Sequence, residues 1–511
     1  MSRSEKSIKN VMVALVSQGV GLLISFIARI VFIRTLGAEY LGLNGLFSNI
    51  LTILSLAELG VGEAITFCLY KPLAQYDRSK CKMLMQFYKK IYIIIGIIIL
   101  VLGISITPIL PFFIKKMPDI KNINIIYILF VINTASSYFI SYKRNLIIAD
   151  QNRYIATIYR YTFYFLLNVL QIIYLLLAKE YIGFLIMQIL NTIVENIFVS
   201  KKADKMYPYL NENEKIQLDE ETKNEISKNT KAMMMHKLAG VVVSSTDNIL
   251  LSKYISLTAV GVYSNYYMII NALTIIYNQI YNSILASVGN LCVNADKAKK
   301  NIVFKKLDFL TFWLYCFSSI CLLCLINSFI EVWIGNKYLL SLDVVIIIVI
   351  NFYINGMRKS ILTFREATGL FYKDRWKGII ESIVNLIVSI ILVKMYGMFG
   401  IFLGTAISTI TVCCWIEPFV LFKYGFNLKL KDYFKDYFKY LLITLSLGTI
   451  MYYICSLIIL PSKILNLIIK LIICFVLTNI IMYIIFKNNE NFKFYVELIT
   501  NYLKGKKQYE K

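Results

Sequence analysis

The chain has few of the residues on which soluble metalloenzymes and ATPases depend. Only 16% of its 511 residues are charged, and His236 is its single histidine. One histidine cannot complete a metal site that is built from several imidazoles. The sequence also lacks a Gly-rich loop ending in Lys-Ser or Lys-Thr that would cradle nucleotide phosphates, so we do not expect nucleotide hydrolysis as an energy source.

Ten cysteines are present, but they do not have the spacing of a disulfide framework. Cys321-x-x-Cys324 has the spacing of a redox motif, yet it lies inside an apolar run with no second pair and no nearby histidine. Free cysteine packs as a small hydrophobic side chain. We therefore expect no metal and no cofactor.

Hydrophobic residues make up 58% of the chain, which indicates a membrane protein. A membrane-spanning helix needs about 20 apolar residues, so the apolar runs leave room for about fourteen helices. The predicted spans are residues 11–33, 41–68, 91–114, 123–142, 154–178, 181–200, 232–254, 258–286, 308–334, 343–364, 376–396, 398–422, 438–460 and 465–486.

The 54 basic residues exceed the 30 acidic residues and leave a net charge of +24. In a soluble protein this excess would suggest a nucleic-acid partner. Here Lys and Arg concentrate in the N-terminus, in every second connection and in the C-terminal tail, as the positive-inside rule requires. We therefore predict a multi-pass membrane protein with both termini in the cytoplasm and no nucleic-acid partner.

The two halves of the chain align with each other at a nearly constant offset. The aligned residues include Gly21 with Gly240, Ser25 with Ser244, Arg34 with Lys253, Leu41-Gly42-Leu43 with Val260-Gly261-Val262, and Gly183 with Gly400. Each copy holds six predicted helices, so the copies have the same orientation in the membrane. Two such lobes around a central cavity are typical of an alternating-access transporter.

The predicted fold class is an all-α polytopic membrane protein with two parallel six-helix repeats and two further C-terminal helices. The predicted domains are an N-terminal lobe (1–200), a cytoplasmic linker (201–231), a C-terminal lobe (232–424), and a last segment (425–511) with helices thirteen and fourteen and an amphipathic cytoplasmic tail.

Three segments carry a family resemblance. They are residues 28–63 (ARIVFIRTLGAEYLGLNGLFSNILTILSLAELGVGE), 142–154 (YKRNLIIADQNRY) and 247–265 (DNILLSKYISLTAVGVYSN). The chain resembles polysaccharide exporters of the Wzx type, which are oligosaccharide flippases of the multidrug/oligosaccharidyl-lipid/polysaccharide exporter (MOP) superfamily. The resemblance implies a flippase that moves undecaprenyl-pyrophosphate-linked oligosaccharide repeat units across the bacterial cytoplasmic membrane for surface or capsular polysaccharide biosynthesis. The implied partners are the lipid-linked oligosaccharide, membrane lipids and other polysaccharide-assembly membrane proteins, and the implied driving force is H⁺ or Na⁺ coupling.

Charges within the predicted spans are the first candidates for substrate contact, because burying them in lipid is costly. Arg29, Arg160, Lys237 and Arg358 are the candidates for binding the pyrophosphate, whose negative charges favour Arg and Lys. Snorkelling to the membrane surface is the competing interpretation. Arg29 and Asp247 are also predicted to pair in an outer gate.

Glu58 and Glu63 are candidates for carrying a coupling proton. On one continuous helix they would lie about 140° apart, which is too far for a paired-carboxylate site. On the predicted cytoplasmic side, a basic entrance is formed by Lys143, Arg144, Arg153, Arg365 and Arg375. The positive-inside rule accounts for most of these residues without any substrate.

Two other functions compete with the flippase. An ion-coupled multidrug antiporter of the same superfamily would share the repeat, but a cationic cavity would repel cationic drugs. A membrane enzyme of polysaccharide assembly would need a catalytic constellation, and neither His236 nor the short outer connections provide one. We therefore predict a transporter rather than an enzyme.

Overall fold

The computed structural model describes residues 3–58, 60–212, 220, 222–224, 226–227, 230, 240–241, 245–370, 373–426 and 428–503. These residues form helices and turns, and no strand occurs among them. The chain divides into two compact units, Met1–Ser264 (unit 1) and Asn265–Lys511 (unit 2). The all-α fold class is confirmed, whereas the predicted domain boundaries stay a prediction.

Unit 1 consists mainly of long helices, as expected where each backbone polar group must be satisfied within its own segment. Its helices are α1 (Arg3–Leu36), α2 (Ala38–Leu54), α3 (Val61–Ala74), α4 (Arg78–Ile106), α5 (Leu110–Phe113), α6 (Ile123–Ala149), α7 (Arg153–Ala178), α8 (Tyr181–Met206) and the first turns of α9 (Leu257–Asn294).

Unit 2 holds the rest of α9 and eight further helices. They are α10 (Lys297–Trp333), α11 (Leu342–Met357), α12 (Lys359–Ala367), α13 (Lys377–Ser408), α14 (Cys414–Val420), α15 (Lys431–Leu457), α16 (Lys463–Phe486) and α17 (Glu490–Leu503). Two π-helical segments, Thr409–Cys413 and Leu421–Phe426, flank α14.

Eleven helical segments of the described chain are long and apolar enough to cross a membrane. One of them, Lys377–Phe426, contains two of the predicted spans, because Gly397 adopts φ +57° and breaks the helix between them. Within the predicted span 232–254, residues 232–239 and 242–244 lie outside the described residues. The count of fourteen spans therefore stays a prediction.

The second predicted span is not one helix, which corrects the sequence interpretation. After α2 the chain forms a 3-10 turn, Ser55–Glu58, and α3 begins only after Gly60, which has φ +82°. Positive φ is strained for residues with a Cβ, so glycine at this position permits the break. The 140° separation expected for Glu58 and Glu63 on a continuous helix therefore does not apply.

The last two helices of each predicted repeat pack as antiparallel hairpins. In unit 1, Gln171 Nε2 of α7 donates to the Phe184 carbonyl oxygen of α8 at 3.1 Å. In unit 2, Ser389 Oγ donates to the Ile401 carbonyl oxygen at 3.2 Å, across the break at Gly397. The two hydrogen bonds join nearly equivalent positions of the predicted repeats, whose exact layout stays a prediction.

A close helix crossing in unit 1 joins two glycines that the repeat aligns. A methyl group on Gly42 of α2 would overlap the Leu257 carbonyl oxygen at the start of α9. A methyl group on Gly261 would overlap the Ala38 carbonyl oxygen at the start of α2. The repeat aligns Gly42 with Gly261 and Ala38 with Leu257. The two contacts are therefore equivalent, and each repeat supplies the glycine in one and the carbonyl oxygen in the other.

The C-terminal helices pack on α10. The Phe312 and Tyr440 rings stack with centroids 4.2 Å apart, which joins α10 to α15. In the tail helix α17, the Phe492 ring stacks on Trp313 of α10 with centroids 5.2 Å apart. Val496 and Ile499, one and two turns after Phe492 on the same helix, are exposed.

Candidate functional site

A fully buried carboxylate, Glu417 of α14, forms the centre of a charged site in unit 2. The Arg358 guanidinium, between α11 and α12, binds it through two hydrogen bonds. Arg358 Nε donates to Glu417 Oε2 at 2.8 Å, and Arg358 Nη2 donates to Glu417 Oε1 at 2.7 Å. Arg and carboxylate match each other in this fork geometry, which fixes both orientation and distance.

Two further cations approach the same carboxylate. Lys377 Nζ, in the first turn of α13, donates to Glu417 Oε1. Arg365 Nη1 of α12 lies 3.6 Å from Glu417 Oε1 and forms an ion pair with Asp374 Oδ2 at 2.9 Å. The Glu381 carboxylate completes the group, with its Oε1 atom 3.9 Å from Arg358 Nη1.

We name this group the Glu417 cluster. Its members are Arg358, Arg365, Asp374, Lys377, Glu381 and Glu417. Three positive charges face three negative charges, so the cluster is formally neutral. Neutrality matters because an uncompensated charge in a buried site costs several kcal/mol.

The sequence identified the basic members of the cluster more readily than the acidic ones. It singled out Arg358 and Arg365, which the structure brings together. It missed Glu417, although a glutamate within the apolar run 398–422 is itself a sign of a functional or structural site. Arg375, also predicted, lies beside Trp376, with its guanidinium 5.9 Å from the ring centroid.

An apolar cavity of about 460 Å³ lies next to the Glu417 cluster in unit 2. It is lined by α10, α11, α14 and α15, with Ile320, Val349, Trp415 and Leu441 among its wall residues. Tyr353 and Ile354 line it one turn before Arg358, and Cys414 lines it one turn before Glu417. The same two helical segments therefore carry both the apolar wall and the charged pair.

In unit 1, both basic residues at the end of α6 are paired with acids of α8. Lys143 Nζ donates to the two Asp204 carboxylate oxygens at 2.6 and 2.7 Å. Arg144 Nη2 donates to Glu195 Oε1 at 2.5 Å and to Asn196 Oδ1 at 3.0 Å. These two members of the predicted basic entrance thus tie α6 to α8.

The segment beyond α6 and α8 carries a further polar contact. Tyr207 Oη donates to Asp150 Oδ2 at 2.8 Å. Burial is the main cause that raises the pKa of Tyr207 well above its usual range, and the Asp150 carboxylate adds to the effect. The phenol therefore stays protonated and keeps donating at neutral pH.

Arg153 and Arg160, the other predicted basic residues of unit 1, are both exposed on α7. Arg153 begins the helix, and Asn10 Oδ1 accepts a hydrogen bond from the next backbone amide, that of Tyr154, at 2.7 Å. Among the described residues, Arg160 has no acidic partner within ion-pair distance. It thus remains accessible, unlike Arg358.

Arg29, in α1, donates from Nη1 to Ser264 Oγ at 3.0 Å. None of the ion pairs between described residues joins Arg29 to Asp247, which is half-buried. The proposed pairing of these two residues in an outer gate stays a prediction. Lys237 and His236 lie outside the described residues, so their predicted roles stay predictions.

Glu58 lies at the break between α2 and α3 and forms part of a hydrogen-bonded relay. Tyr92 Oη donates to Glu58 Oε1 at 2.7 Å, and Tyr88 Oη donates to Tyr92 Oη at 3.1 Å. Asn145 Nδ2 of α6 donates to Tyr88 Oη. Glu63, in contrast, is exposed in the first turn of α3. The relay therefore singles out Glu58 between the two candidate carboxylates.

Comparison with solved structures gives the fold. The lipid II flippase MurJ in its inward closed conformation matches with a TM-score of 0.65 at 16% identity, covering 93% of this chain and 99% of MurJ. A multidrug resistance MATE family transporter of the MOP superfamily, in an inward-facing conformation, matches with a TM-score of 0.58 at 12% identity over 80% of this chain and 98% of its own. The Vibrio cholerae MATE transporter VcmN matches with a TM-score of 0.57 at 14% identity, covering 84% and 99%.

Comparison of sequences gives the family. No curated protein matches the chain. A family model described as polysaccharide biosynthesis protein matches residues 7–285, more than half of the chain. This match confirms the resemblance carried by residues 28–63, 142–154 and 247–265. The chain therefore belongs to the polysaccharide biosynthesis protein family.

Proposed function

We propose that the protein is a flippase, not an enzyme, that moves undecaprenyl-pyrophosphate-linked oligosaccharide repeat units across the bacterial cytoplasmic membrane by alternating access. Family membership and the MurJ-like fold support a transport role. Both termini would lie in the cytoplasm, where the basic connections are predicted. Other membrane proteins of polysaccharide assembly would supply and receive the substrate.

The observation that carries the proposal is the apolar cavity beside the Glu417 cluster. A polyprenyl pyrophosphate has a long apolar chain joined to an anionic head group, so its binding site must combine an apolar wall with nearby cations. The cavity offers the wall over about 460 Å³. Arg358 follows the lining residue Ile354 by one turn. Lys377 binds Glu417, which follows the lining residue Cys414 by one turn.

A basic residue without an acidic partner is better suited to bind the diphosphate first than one that already pairs with a carboxylate. Arg358 is already bound by Glu417, whereas Arg160 is exposed and has no ion pair among the described residues. We therefore assign initial contact with the pyrophosphate to Arg160. Arg358 takes the role of a positioning residue that holds α14 against α11.

We propose H⁺ as the coupling ion, carried by Glu58. The carboxylate lies at a helix break and accepts a hydrogen bond from Tyr92 Oη, at the end of a chain of donors that begins at Asn145. Protonation would remove the negative charge that this chain stabilises. Such a change alters the local balance between two conformations, which is what coupling requires.

The proposal is tested by flipping in proteoliposomes. The purified protein is reconstituted with a labelled undecaprenyl-pyrophosphate oligosaccharide, and transfer between leaflets is followed by accessibility to a membrane-impermeant enzyme. We expect transfer faster than in empty liposomes, slowed severalfold by Arg160→Gln. Lys90→Gln, which removes another exposed basic residue of unit 1, is the matched control and should leave the rate unchanged.

Absence of transfer with folded protein, under imposed proton and sodium gradients, would reject the flippase. In that event a fluorescent cationic drug, supplied to the same proteoliposomes, tests the multidrug antiporter. Accumulation of the drug against a gradient would establish the antiporter. Equal transfer by the wild type and Arg160→Gln would instead remove Arg160 from the pyrophosphate site.

A further inference from the structure

Three cysteines from three helices of unit 2 converge in its interior. The sulfur atoms of Cys324 on α10, Cys455 on α15 and Cys474 on α16 all lie within 4.8 Å of one another. The Cys455 and Cys474 sulfurs are 3.5 Å apart, and both residues are buried. The Cys321-x-x-Cys324 motif, which had no second pair in the sequence, thus meets one in the structure.

The spacing of these sulfurs suits a single metal ion. Thiolate sulfurs bind Zn(II) at about 2.3 Å, which places two sulfurs of a tetrahedral site about 3.8 Å apart. The Cys455–Cys474 separation of 3.5 Å is close to this value, and no pair of the three sulfurs is more than 4.8 Å apart. Only small side-chain shifts would bring the three sulfurs into one coordination sphere. Cys321 precedes Cys324 by one helical turn and is half-buried, so a fourth thiol is available nearby.

The charges around the cluster also suit a cation bound by thiolates. Lys470 precedes Cys474 by one turn on α16, on the same face of the helix. Among the described residues, Lys470 makes no ion pair. Three thiolates and one divalent cation carry a net charge of −1, which the Lys470 ammonium would balance. Lys470 is half-buried in a membrane helix, where an uncompensated charge is costly.

The donor set selects the class of ion. Sulfur ligands favour soft ions, above all Cu(I) and Zn(II), over Mg(II) or Ca(II), which require oxygen. Met451 precedes Cys455 by one turn and is fully buried, which adds a thioether to the same helix face. The environment therefore offers sulfur donors and no described carboxylate within the cluster.

We propose that Cys324, Cys455 and Cys474 bind one soft d¹⁰ metal ion, Cu(I) or Zn(II). Each thiol that coordinates the ion releases its proton to solvent as its sulfur–metal bond forms, and no electron is transferred. The bound ion joins α15 and α16 to α10. Leu323 and Gly448, which flank these positions, line the apolar cavity, so the ion would fix the width of that cavity. The inference does not depend on the proposed transport.

The test uses the full-length protein in detergent, kept reduced and freed of metal. Co(II) serves as the spectroscopic probe, because thiolate–Co(II) bonds give charge-transfer absorption. We expect one Co(II) per chain, displaced by Zn(II) or, anaerobically, by Cu(I), and the stronger competitor identifies the ion. Cys455→Ser and Cys474→Ser should each weaken binding by more than about tenfold, since even loss of an outer partner has that effect. Cys316→Ser, which alters a buried cysteine outside the cluster, is the matched control.

Folding of each variant is verified by its elution volume and by its melting temperature without metal. Bound metal should raise the melting temperature of the wild type and of Cys316→Ser but not that of Cys474→Ser. Absence of a charge-transfer band in the reduced wild type would overturn the proposal. So would a band of equal intensity in both cluster variants, or a Cys455–Cys474 disulfide in a protein that binds no ion once reduced.

Discussion

Arg358 binds Glu417 in a two-bond fork, with donor–acceptor distances of 2.8 and 2.7 Å, although the two residues are far apart in the sequence. The fork connects the end of α11 to the short helix α14. Because Glu417 is fully buried, its charge is compensated by side chains and not by water. This pair therefore holds the two helical segments that also line the apolar cavity.

Glu417→Gln should destabilise unit 2. The substitution leaves Arg358, Arg365 and Lys377 with only two carboxylates, and breaking a buried ion pair by removing one partner costs about 3–5 kcal/mol. The measurement is the melting temperature, or the free energy of unfolding, of the purified protein in detergent. Glu366→Gln, an exposed glutamate of the neighbouring α12, is the matched control and should have little effect.

Replacing both Arg358 and Glu417 tests whether the lost stability comes from the unpaired charge or from lost packing. In Arg358→Met/Glu417→Leu the buried charges are removed together, so we expect part of the lost stability to return. If the double variant is as unstable as the sum of the two single variants, the fork is not the source of the stability.

Exchanging the charges of Lys143 and Asp204 should preserve the contact between α6 and α8. Lys143→Asp or Asp204→Lys alone places like charges together, whereas the double exchange restores an opposite pair. In a double-mutant cycle, residues in contact give a coupling of about 0.5–3 kcal/mol. The free energy of unfolding of the four proteins gives this value, and additive effects would show that the 2.6 Å contact contributes nothing.

Gly42→Ala and Gly261→Ala should each reduce stability by similar amounts. In both variants the added methyl group meets a backbone carbonyl oxygen, which cannot move aside as a side chain can. Overpacking of this kind costs about 1–3 kcal/mol. Melting temperatures provide the measurement, and Gly289→Ala, where space is open, is the control. Wild-type stability in either variant would contradict the close crossing.

Glu58→Gln should remove the dependence of flipping on an imposed proton gradient. The amide cannot gain or lose a proton in the accessible pH range. The side chain at position 58 can then no longer switch between a charged and a neutral form. Glu63→Gln, which alters an exposed carboxylate on α3, should retain the dependence. The readout is the ratio of flipping rates with and without the gradient. An unchanged ratio in Glu58→Gln would exclude this residue as the proton carrier.

Apolar runs predict most of the fold because backbone polar groups in lipid must form their hydrogen bonds within a helix. Runs such as 123–142 and 154–178 became α6 and α7, with ends that differ by a few residues. The break at Glu58 escaped prediction, because Leu56, Leu59 and Val61 carry the apolar run across it. Gly60, which adopts the positive φ, was the available signal.

Only the basic residues of the site were predictable from the sequence. Lys and Arg stand out in an apolar sequence, so Arg358 and Lys143 were noticed. Their partners Glu417 and Asp204 depend on which helices pack together, and a single sequence carries little information about packing. The cysteine cluster escaped for the same reason, since Cys324 and Cys474 come together only when α10 meets α16.

The crossing of Gly42 and Gly261 has the form of a two-fold interface within one chain. In an isologous dimer, residue i of one subunit contacts residue j of the other, and j contacts i in return. Gly42 contacts Leu257, and Gly261 contacts Ala38. The same reciprocal pattern thus occurs here between two parts of one chain. A substitution at either glycine would therefore disturb one half of this pseudo-symmetric contact and leave the other half in place.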